Sequence, residues 1–200
     1  MSLNNLLIVG LGNPGKDFEN TRHNVGTDFV QLLSKDLDIS LTKEIKFLSN
    51  YGSKQLPDIK IHLLIPNVFM NESGQAVTKI KKYLKLSTNE ILIVHDELDL
   101  PVGKLKLKES GGHGGHKGIK NVIEVLQGDT SFKRLRIGIS HPGKEKDVTK
   151  FLLSKASKKD RDIIDSAMKN AVPIINKIIL GEWQHAMMEL HTEKIAKQWI

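Results

Sequence analysis

Short apolar runs of strand length alternate with amphipathic stretches of helix length along the whole 200-residue chain. This alternation predicts an α/β fold, because helices that follow successive strands cover both faces of the sheet that those strands form. We therefore expect a single domain over residues 1–200, with a twisted, mostly parallel mixed sheet flanked by helices on both faces. No repeat, low-complexity tract or Pro/Ser-rich linker divides the sequence.

The element boundaries follow from hydrophobic periodicity and from the turn-forming residues between the elements. The predicted strands span residues 6–11, 46–53, 59–65, 90–95, 103–108 and 134–140. The predicted helices span residues 22–37, 73–85, 117–127, 158–180 and 182–196.

Polar side chains follow three of the predicted strands. Asn13 follows the first apolar run, Asn71 comes shortly after the run at 61–65, and Asp96 closely follows the run at 91–94. In an open α/β sheet, reactive groups lie beyond the carboxyl ends of the strands. We therefore expect Asn13, Asn71 and Asp96 to lie along one rim of the sheet.

The positive charge of the chain is concentrated in one region. Residues 101–161 contain 15 Lys or Arg against 6 Asp or Glu, a net of +9, whereas the net charge of the whole chain is +7. Such a region indicates either a polyanionic partner such as a nucleic acid, whose phosphates attract Lys and Arg, or a solvated basic face.

The composition also limits the chemistry. The chain has no cysteine, which excludes disulfides, thiolate metal sites and a cysteine nucleophile. The first residues carry no basic segment before an apolar stretch, and no apolar run is long enough to span a bilayer. We therefore expect a cytoplasmic protein that does not enter membranes.

The pattern Gly10-x-Gly12-x-x-Gly15 follows the first predicted strand and matches the dinucleotide-binding fingerprint. A dinucleotide-dependent oxidoreductase is therefore one alternative. Against it, the loop continues past Pro14 instead of starting a helix at the glycines, and no apolar strand ends in an acidic residue about 20 positions later. We expect no cofactor.

His23 lies at the start of the first predicted helix, where the helix dipole disfavours a protonated ring, so it could act as a base. Asp96 could orient that ring. The alternatives are that His23 is a surface or capping residue and that the carboxylates at 96–99 bind Mg²⁺. His113-x-x-His116 lacks an obvious third zinc ligand, and we expect no metal site.

The glycine-rich segment GGHGGHKG at 111–118 precedes the predicted helix that starts near Lys117. Glycines let backbone N–H groups approach an anion, and a helix start offers further free donors. The segment is therefore either an anion-binding loop or a flexible spacer.

Six motifs taken together resemble the bacterial-type peptidyl-tRNA hydrolases. They are LIVGLGNPG (7–15), TRHNVG (21–26), PNVFMNESG (66–74), HDELDLP (95–101), GGHGGH (111–116) and RLRIGI (134–139). The resemblance implies a monomeric, metal-independent esterase that cleaves the bond between a peptide and the 3′-terminal ribose of tRNA. It would recycle peptidyl-tRNA that ribosomes release prematurely, and it would bind the acceptor stem and 3′ end of the tRNA.

The resemblance also implies roles for individual residues. His23 corresponds to the family's general base, Asp96 to its carboxylate partner, and Asn13 to a residue that positions the reacting group. The residues expected to contact the peptide or the tRNA are Phe18, Phe69, Asn71, Lys108, His116, Lys117 and Arg136.

Two positions depart from the family pattern. Phe18 stands where the family commonly has tyrosine, and Lys117 stands where it commonly has asparagine. The second change falls next to the expected catalytic centre. It leaves open a further alternative, an RNA-binding relative of the hydrolase with little catalytic activity.

Overall fold

A computed structural model of the chain describes residues 4–143 and 147–192. Its strands are β1 (Asn5–Gly10), β2 (Thr42–Glu44), β3 (Ser49–Gln55), β4 (Lys60–Pro66), β5 (Ile91–Glu97), β6 (Leu105–Lys108) and β7 (Lys133–Gly138). Its helices are α1 (Val25–Asp36), α2 (Ser73–Leu84), α3 (Lys117–Val125), α4 (Val148–Leu152), α5 (Lys158–Ile179) and α6 (Trp183–Thr192).

The strands form one mixed sheet in the order β2-β3-β4-β1-β5-β7-β6. The four central strands, β4, β1, β5 and β7, run parallel to one another. The edges of the sheet are antiparallel, with β3 and β2 on one side and β6 on the other. This topology confirms the predicted α/β class with a parallel core.

Helices cover both faces of the sheet because successive strand residues point to opposite faces. Leu6 and Ile8 of β1 belong to a buried cluster that includes apolar residues of α1, α5 and α6. Leu7 and Val9 belong to a second buried cluster that includes apolar residues of α2 and α3. The carboxyl ends of β1, β4 and β5 therefore open into a crevice between two helical layers.

The first turn of α1 rests directly on the sheet through two glycines. A Cβ atom at Gly26 would lie 2.3 Å from the carbonyl oxygen of Val94 in β5, and a Cβ at Gly10 would lie 2.3 Å from the carbonyl oxygen of Gly26. Any side chain at these two positions would force the helix away from the strands. Gly10, which suggested a dinucleotide site, is required here for helix packing.

Several boundaries differ from the sequence-based predictions. The predicted strand at 46–53 begins only at Ser49, because residues Ile45–Phe47 form a 3₁₀ turn and Leu48 has a left-handed backbone with φ of 53°. The predicted helix at 22–37 likewise opens with a 3₁₀ turn, Arg22–Asn24. The strand β2 and the helix α4 were not predicted. They have three and five residues, too few to show a hydrophobic period.

The last predicted helix, 182–196, corresponds to α6 as far as Thr192, and its final residues lie outside the described part of the chain. Among the described residues, no helix is both long and apolar enough to cross a bilayer.

Candidate active site

Two histidines share one aspartate at the carboxyl end of β5. The Nδ1 atom of His23, in the turn before α1, lies 2.8 Å from Oδ1 of Asp96. The Nε2 atom of His116, the residue that precedes α3, lies 2.9 Å from the same oxygen. His23 and Asp96 are buried, with 6% and 3% of their surface exposed. The three side chains come from three separate elements, and the fold brings them together.

The backbone at the start of α3 fixes the tautomer of His116. Its Nδ1 atom accepts hydrogen bonds from the N–H groups of Gly118 and Ile119, at 3.1 and 3.2 Å, and so acts as the N-cap of the helix. Because Nδ1 is an acceptor, the ring proton of a neutral His116 is on Nε2, from which it is donated to Asp96. His116 therefore helps to hold the aspartate as well as the helix.

Asp96 is held in its ionised form. Burial by itself would raise the pKa of this carboxyl, but the charges and hydrogen bonds of His23 and His116 outweigh burial and hold the pKa well below its usual range. An ionised Asp96 accepts the Nδ1–H of His23, which leaves the Nε2 atom of a neutral His23 with a lone pair. His23 lines a cavity of about 830 Å³. A base is thus presented to a space large enough for a substrate.

Asn13 is held by its neighbours in one orientation. Its Oδ1 atom accepts the N–H of Met70, at 2.8 Å, and its own N–H donates to Oδ1 of Asn24, at 2.8 Å. The Nδ2 atom of Asn24 returns a hydrogen bond to the carbonyl oxygen of Asn13, at 2.9 Å. Since its oxygen is occupied, Asn13 has its NH₂ group left to donate, and both Asn13 and Asn71 line the cavity.

The cavity has chemically different sides. The side formed by α3 is polar and carries Lys117, Lys120 and Glu124, and its apolar residues pack in the cluster under α2 and α3. The side formed by Leu98 and α4 is largely apolar, and Leu98, Phe151 and Leu152 pack against the cluster on the other face of the sheet. A molecule bound in this cavity would contact a basic side and an apolar side.

The two aromatic residues expected at the site contact each other. Phe18 and Phe69 meet edge to face, with ring centroids 6.2 Å apart, and neither belongs to the residues that line the cavity. Phe69 is 55% exposed. The ring of Phe18 makes this contact without the hydroxyl that the family's tyrosine would add.

The three basic residues expected to contact tRNA differ in their surroundings. Lys117 is exposed and lines the cavity, and within residues 4–143 and 147–192 no carboxylate lies close enough to pair with it. Lys108 is exposed at the end of β6. Arg136 instead donates from Nε to Oε2 of Glu97 at 2.8 Å, and its Nη2 atom forms an ion pair with the same oxygen at 2.8 Å. Arg136 is therefore an anchored cation and not a free one.

Sequence reasoning missed the residues that brace the site. Arg134 is buried and donates from its guanidinium to the carbonyl oxygens of Gly111 and Gly112, which holds the glycine-rich loop. His95 is buried beside Asp96 and bonds to the carbonyl oxygen of that residue at 2.7 Å. Burial holds the pKa of His95 well below its ordinary value, so this ring stays neutral. Such contacts depend on how the chain folds, and no spacing of residues in the sequence predicts them.

The ligand-type atoms of His23, Asp96 and His116 lie within 4.8 Å of one another, close enough for a metal ion to bridge them. Their two hydrogen bonds already account for this proximity. His113, the other member of the His-x-x-His pair, is exposed and accepts the N–H of Gly115 at 3.0 Å. The pair therefore does not converge on one point.

Comparison with known proteins identifies the family of the chain. The model of the peptidyl-tRNA hydrolase family matches residues 7–198. The peptidyl-tRNA hydrolase of Saccharophagus degradans is 44% identical over 94% of this chain and 95% of its own length, and that of Coxiella burnetii is 46% identical over 93% and 97%. The crystal structure of the Acinetobacter baumannii enzyme is 38% identical, with a TM-score of 0.90 over 96% of each chain. The chain belongs to the peptidyl-tRNA hydrolase family.

Proposed function

We propose that this chain hydrolyses the ester bond between a peptide and the 3′-terminal ribose of tRNA, and so recycles peptidyl-tRNA that ribosomes release prematurely. The observation that carries the proposal is the buried His23–Asp96–His116 network, which leaves the Nε2 atom of His23 as a base at the cavity. The identity of the substrate, peptidyl-tRNA, is inferred from membership of the family. The proposal includes a monomer that acts as one domain over residues 1–200 in the cytoplasm.

The reaction begins with a water molecule next to His23. As Nε2 of His23 takes a proton from this water, the water oxygen bonds to the ester carbonyl carbon, and the carbonyl oxygen becomes an oxyanion. Asp96 stabilises the imidazolium that forms, because Nδ1–H remains hydrogen bonded to the carboxylate. When the tetrahedral intermediate collapses, the bond to the ribose oxygen breaks, and the imidazolium returns its proton to that oxygen. No step uses a metal ion or a cofactor.

In this proposal Asn13 stabilises the oxyanion. Its oxygen is occupied by the N–H of Met70, so the NH₂ group is the end that can donate into the cavity. A donor of this kind contributes about 10²–10³ in rate when it points at the developing charge. Asn71, on the same cavity, would bind the polar backbone of the peptide.

The tRNA would bind by its acceptor stem and 3′ end along the basic region found in the sequence. Lys108 and Lys117 are exposed there, and Lys117 also reaches the cavity. Phosphates bind such side chains through charge and the release of counterions. Arg136 would bind a phosphate only with the part of its guanidinium that Glu97 leaves free.

Neither alternative function is favoured. A relative without catalysis would not need the complete His23–Asp96 pair at a cavity. A dinucleotide enzyme would need Gly10 and Gly12 for a cofactor, whereas a Cβ at Gly12 would lie 2.4 Å from Oγ1 of Thr27 in α1. Both glycines thus serve helix packing.

Release of the amino acid from N-blocked aminoacyl-tRNA, in EDTA and without added cofactor, tests the proposal. We expect hydrolysis by the wild type and almost none by His23→Ala. The matched control is His113→Ala, an exposed histidine outside the network, which should keep wild-type activity on a short substrate. Absence of hydrolysis by the wild type, or equal activity of His23→Ala, contradicts the proposal.

A further inference from the structure

The residue before the base makes a separate set of contacts. Arg22 and His23 are adjacent in the turn that precedes α1, yet His23 bonds to Asp96 whereas Arg22 bonds to the segment that follows α4. The side chain of Arg22 is only 10% exposed. A nearly buried guanidinium is costly unless its donors are used, so its partners identify what it holds.

Those partners all belong to one stretch of chain. The Nη1 atom of Arg22 donates to Oγ of Ser154 at 2.8 Å and to the carbonyl oxygen of Lys155 at 2.9 Å. The guanidinium carbon lies 4.1 Å from the centre of the Phe151 ring, and Nη2 lies 3.7 Å from a carboxylate oxygen of Asp160. A planar guanidinium that stacks its face on an aromatic ring and donates hydrogen bonds from its edge has one preferred orientation.

The backbone adds to this attachment. The N–H of Arg22 donates to the carbonyl oxygen of Ser154 at 3.1 Å, and Thr21 forms an antiparallel bridge with Lys155. The turn that carries the base is thus joined to the end of α4 by both main chain and side chain.

The segment held in this way forms the apolar side of the cavity. Val148, Leu152 and Leu153 line the cavity, while Phe151 between them faces Arg22. The helix is only one turn long, and such a helix has little stability of its own. Its position relative to His23 therefore depends on contacts of the kind that Arg22 supplies.

We propose that Arg22 is a positioning residue, which fixes α4 against the turn of His23 and so sets the width of the cavity beside the base. The proposal rests on the proposed function, because that cavity is taken to bind the ester substrate. The hydrogen bonds and the ion pair of the Arg22 side chain go to Ser154, Lys155 and Asp160, and among the described residues none goes to His23, Asp96 or Asn13. Its loss should therefore weaken substrate binding while the chemical step continues at nearly its normal rate.

Arg22→Lys tests this inference, because lysine keeps the charge but lacks the planar fork. With N-blocked aminoacyl-adenosine as substrate, we expect KM to rise about 10-fold, which corresponds to the loss of one charge-assisted hydrogen bond, and kcat to change less than about two-fold. The pH profile of kcat should be unchanged. A fall in kcat at constant KM, or an unchanged KM, overturns the proposal.

A second readout does not depend on activity. Amide hydrogen exchange of residues 147–155 should be faster in Arg22→Lys than in the wild type, while exchange in α1 and β5 should stay the same. If the wild type does not hydrolyse the substrate but exchange of residues 147–155 is still faster in Arg22→Lys, the proposed function is refuted and the attachment of α4 by Arg22 is supported. Unchanged exchange in residues 147–155 refutes the attachment itself.

Two further variants separate positioning from general stability. Ser154→Ala removes one acceptor of the fork and should raise KM in the same direction by a smaller factor, and it serves as the test if Arg22→Lys fails to fold. The matched control is Arg161→Lys, because Arg161 is also largely buried and pairs with Asp28 and Asp165 away from the cavity. An equal rise of KM in Arg161→Lys would show that any lost arginine has this effect, and would overturn the proposal.

Discussion

His23 and Asp96 should behave as one catalytic unit, and a double-mutant cycle measures whether they do. His23→Ala removes the base, which is worth about 10²–10⁴ in rate. Asp96→Asn keeps an oxygen for both rings but removes the negative charge. The bond from Nδ1 of His23 then changes from charge-assisted to neutral, a loss of about 1–2 kcal/mol, or roughly 5–30-fold in rate.

The double variant should be no slower than His23→Ala alone, because an aspartate without its imidazole has nothing to stabilise during the reaction. The assay is kcat/KM on N-blocked aminoacyl-adenosine, which leaves tRNA binding out of the comparison. Asp99→Asn is the matched control, since Asp99 lies three residues further along, is exposed and does not line the cavity. Losses that multiply in the double variant would refute the view that the pair acts together.

Four further outcomes follow from the same structure. Aminoacyl-tRNA with a free, cationic α-amino group should be hydrolysed far more slowly than the N-blocked form, because that charge must be desolvated in the cavity; equal rates would contradict this. Lys108→Ala should lower the salt dependence of tRNA binding by about one unit of slope, and Arg136→Ala by less, because Glu97 already pairs with Arg136. Lys117→Asn should weaken binding of full-length tRNA while a short substrate is cleaved as before; an equal effect on both would instead place Lys117 at the chemistry. Burial lowers the pKa of His62 from 6.5 to about 4. Between these two pH values only the unfolded chain takes up this proton, so the free energy of unfolding should decrease as the pH falls from 6.5 to about 4. Urea titrations should show this decrease in the wild type and a smaller one in His62→Gln.

The sequence predicts the parallel core of the sheet well, because long apolar runs and amphipathic helices have clear periods. Short elements carry no such signal, which is why α4 was missed although it forms one side of the cavity. The rim was predicted in outline. Asn13, Asn71 and Asp96 do lie on one cavity, as the rule about strand ends requires.

The contacts made by each side chain could not be predicted. The sequence suggested that His116 contacts substrate or tRNA, and His116 does line the cavity, but its bonds to Asp96 and to the start of α3 were not predicted. Arg136 was expected to contact tRNA, and its pairing with Glu97 on the neighbouring strand was not predicted. Both outcomes depend on which residues become neighbours in space, and for Arg136 and Glu97 the register of β5 against β7 determines this.

The contact of Gly26 with the backbone of β5 has a consequence for engineering. Because α1 meets the sheet backbone to backbone, the distance between the base and its carboxylate does not depend on how larger side chains fill the core nearby. Core substitutions can therefore be made for thermal stability with little effect on that distance. Conversely, grafting this histidine and aspartate onto another α/β scaffold would fail without the glycine pair, since ordinary side chains would hold the helix, and the ring it carries, too far from the strand.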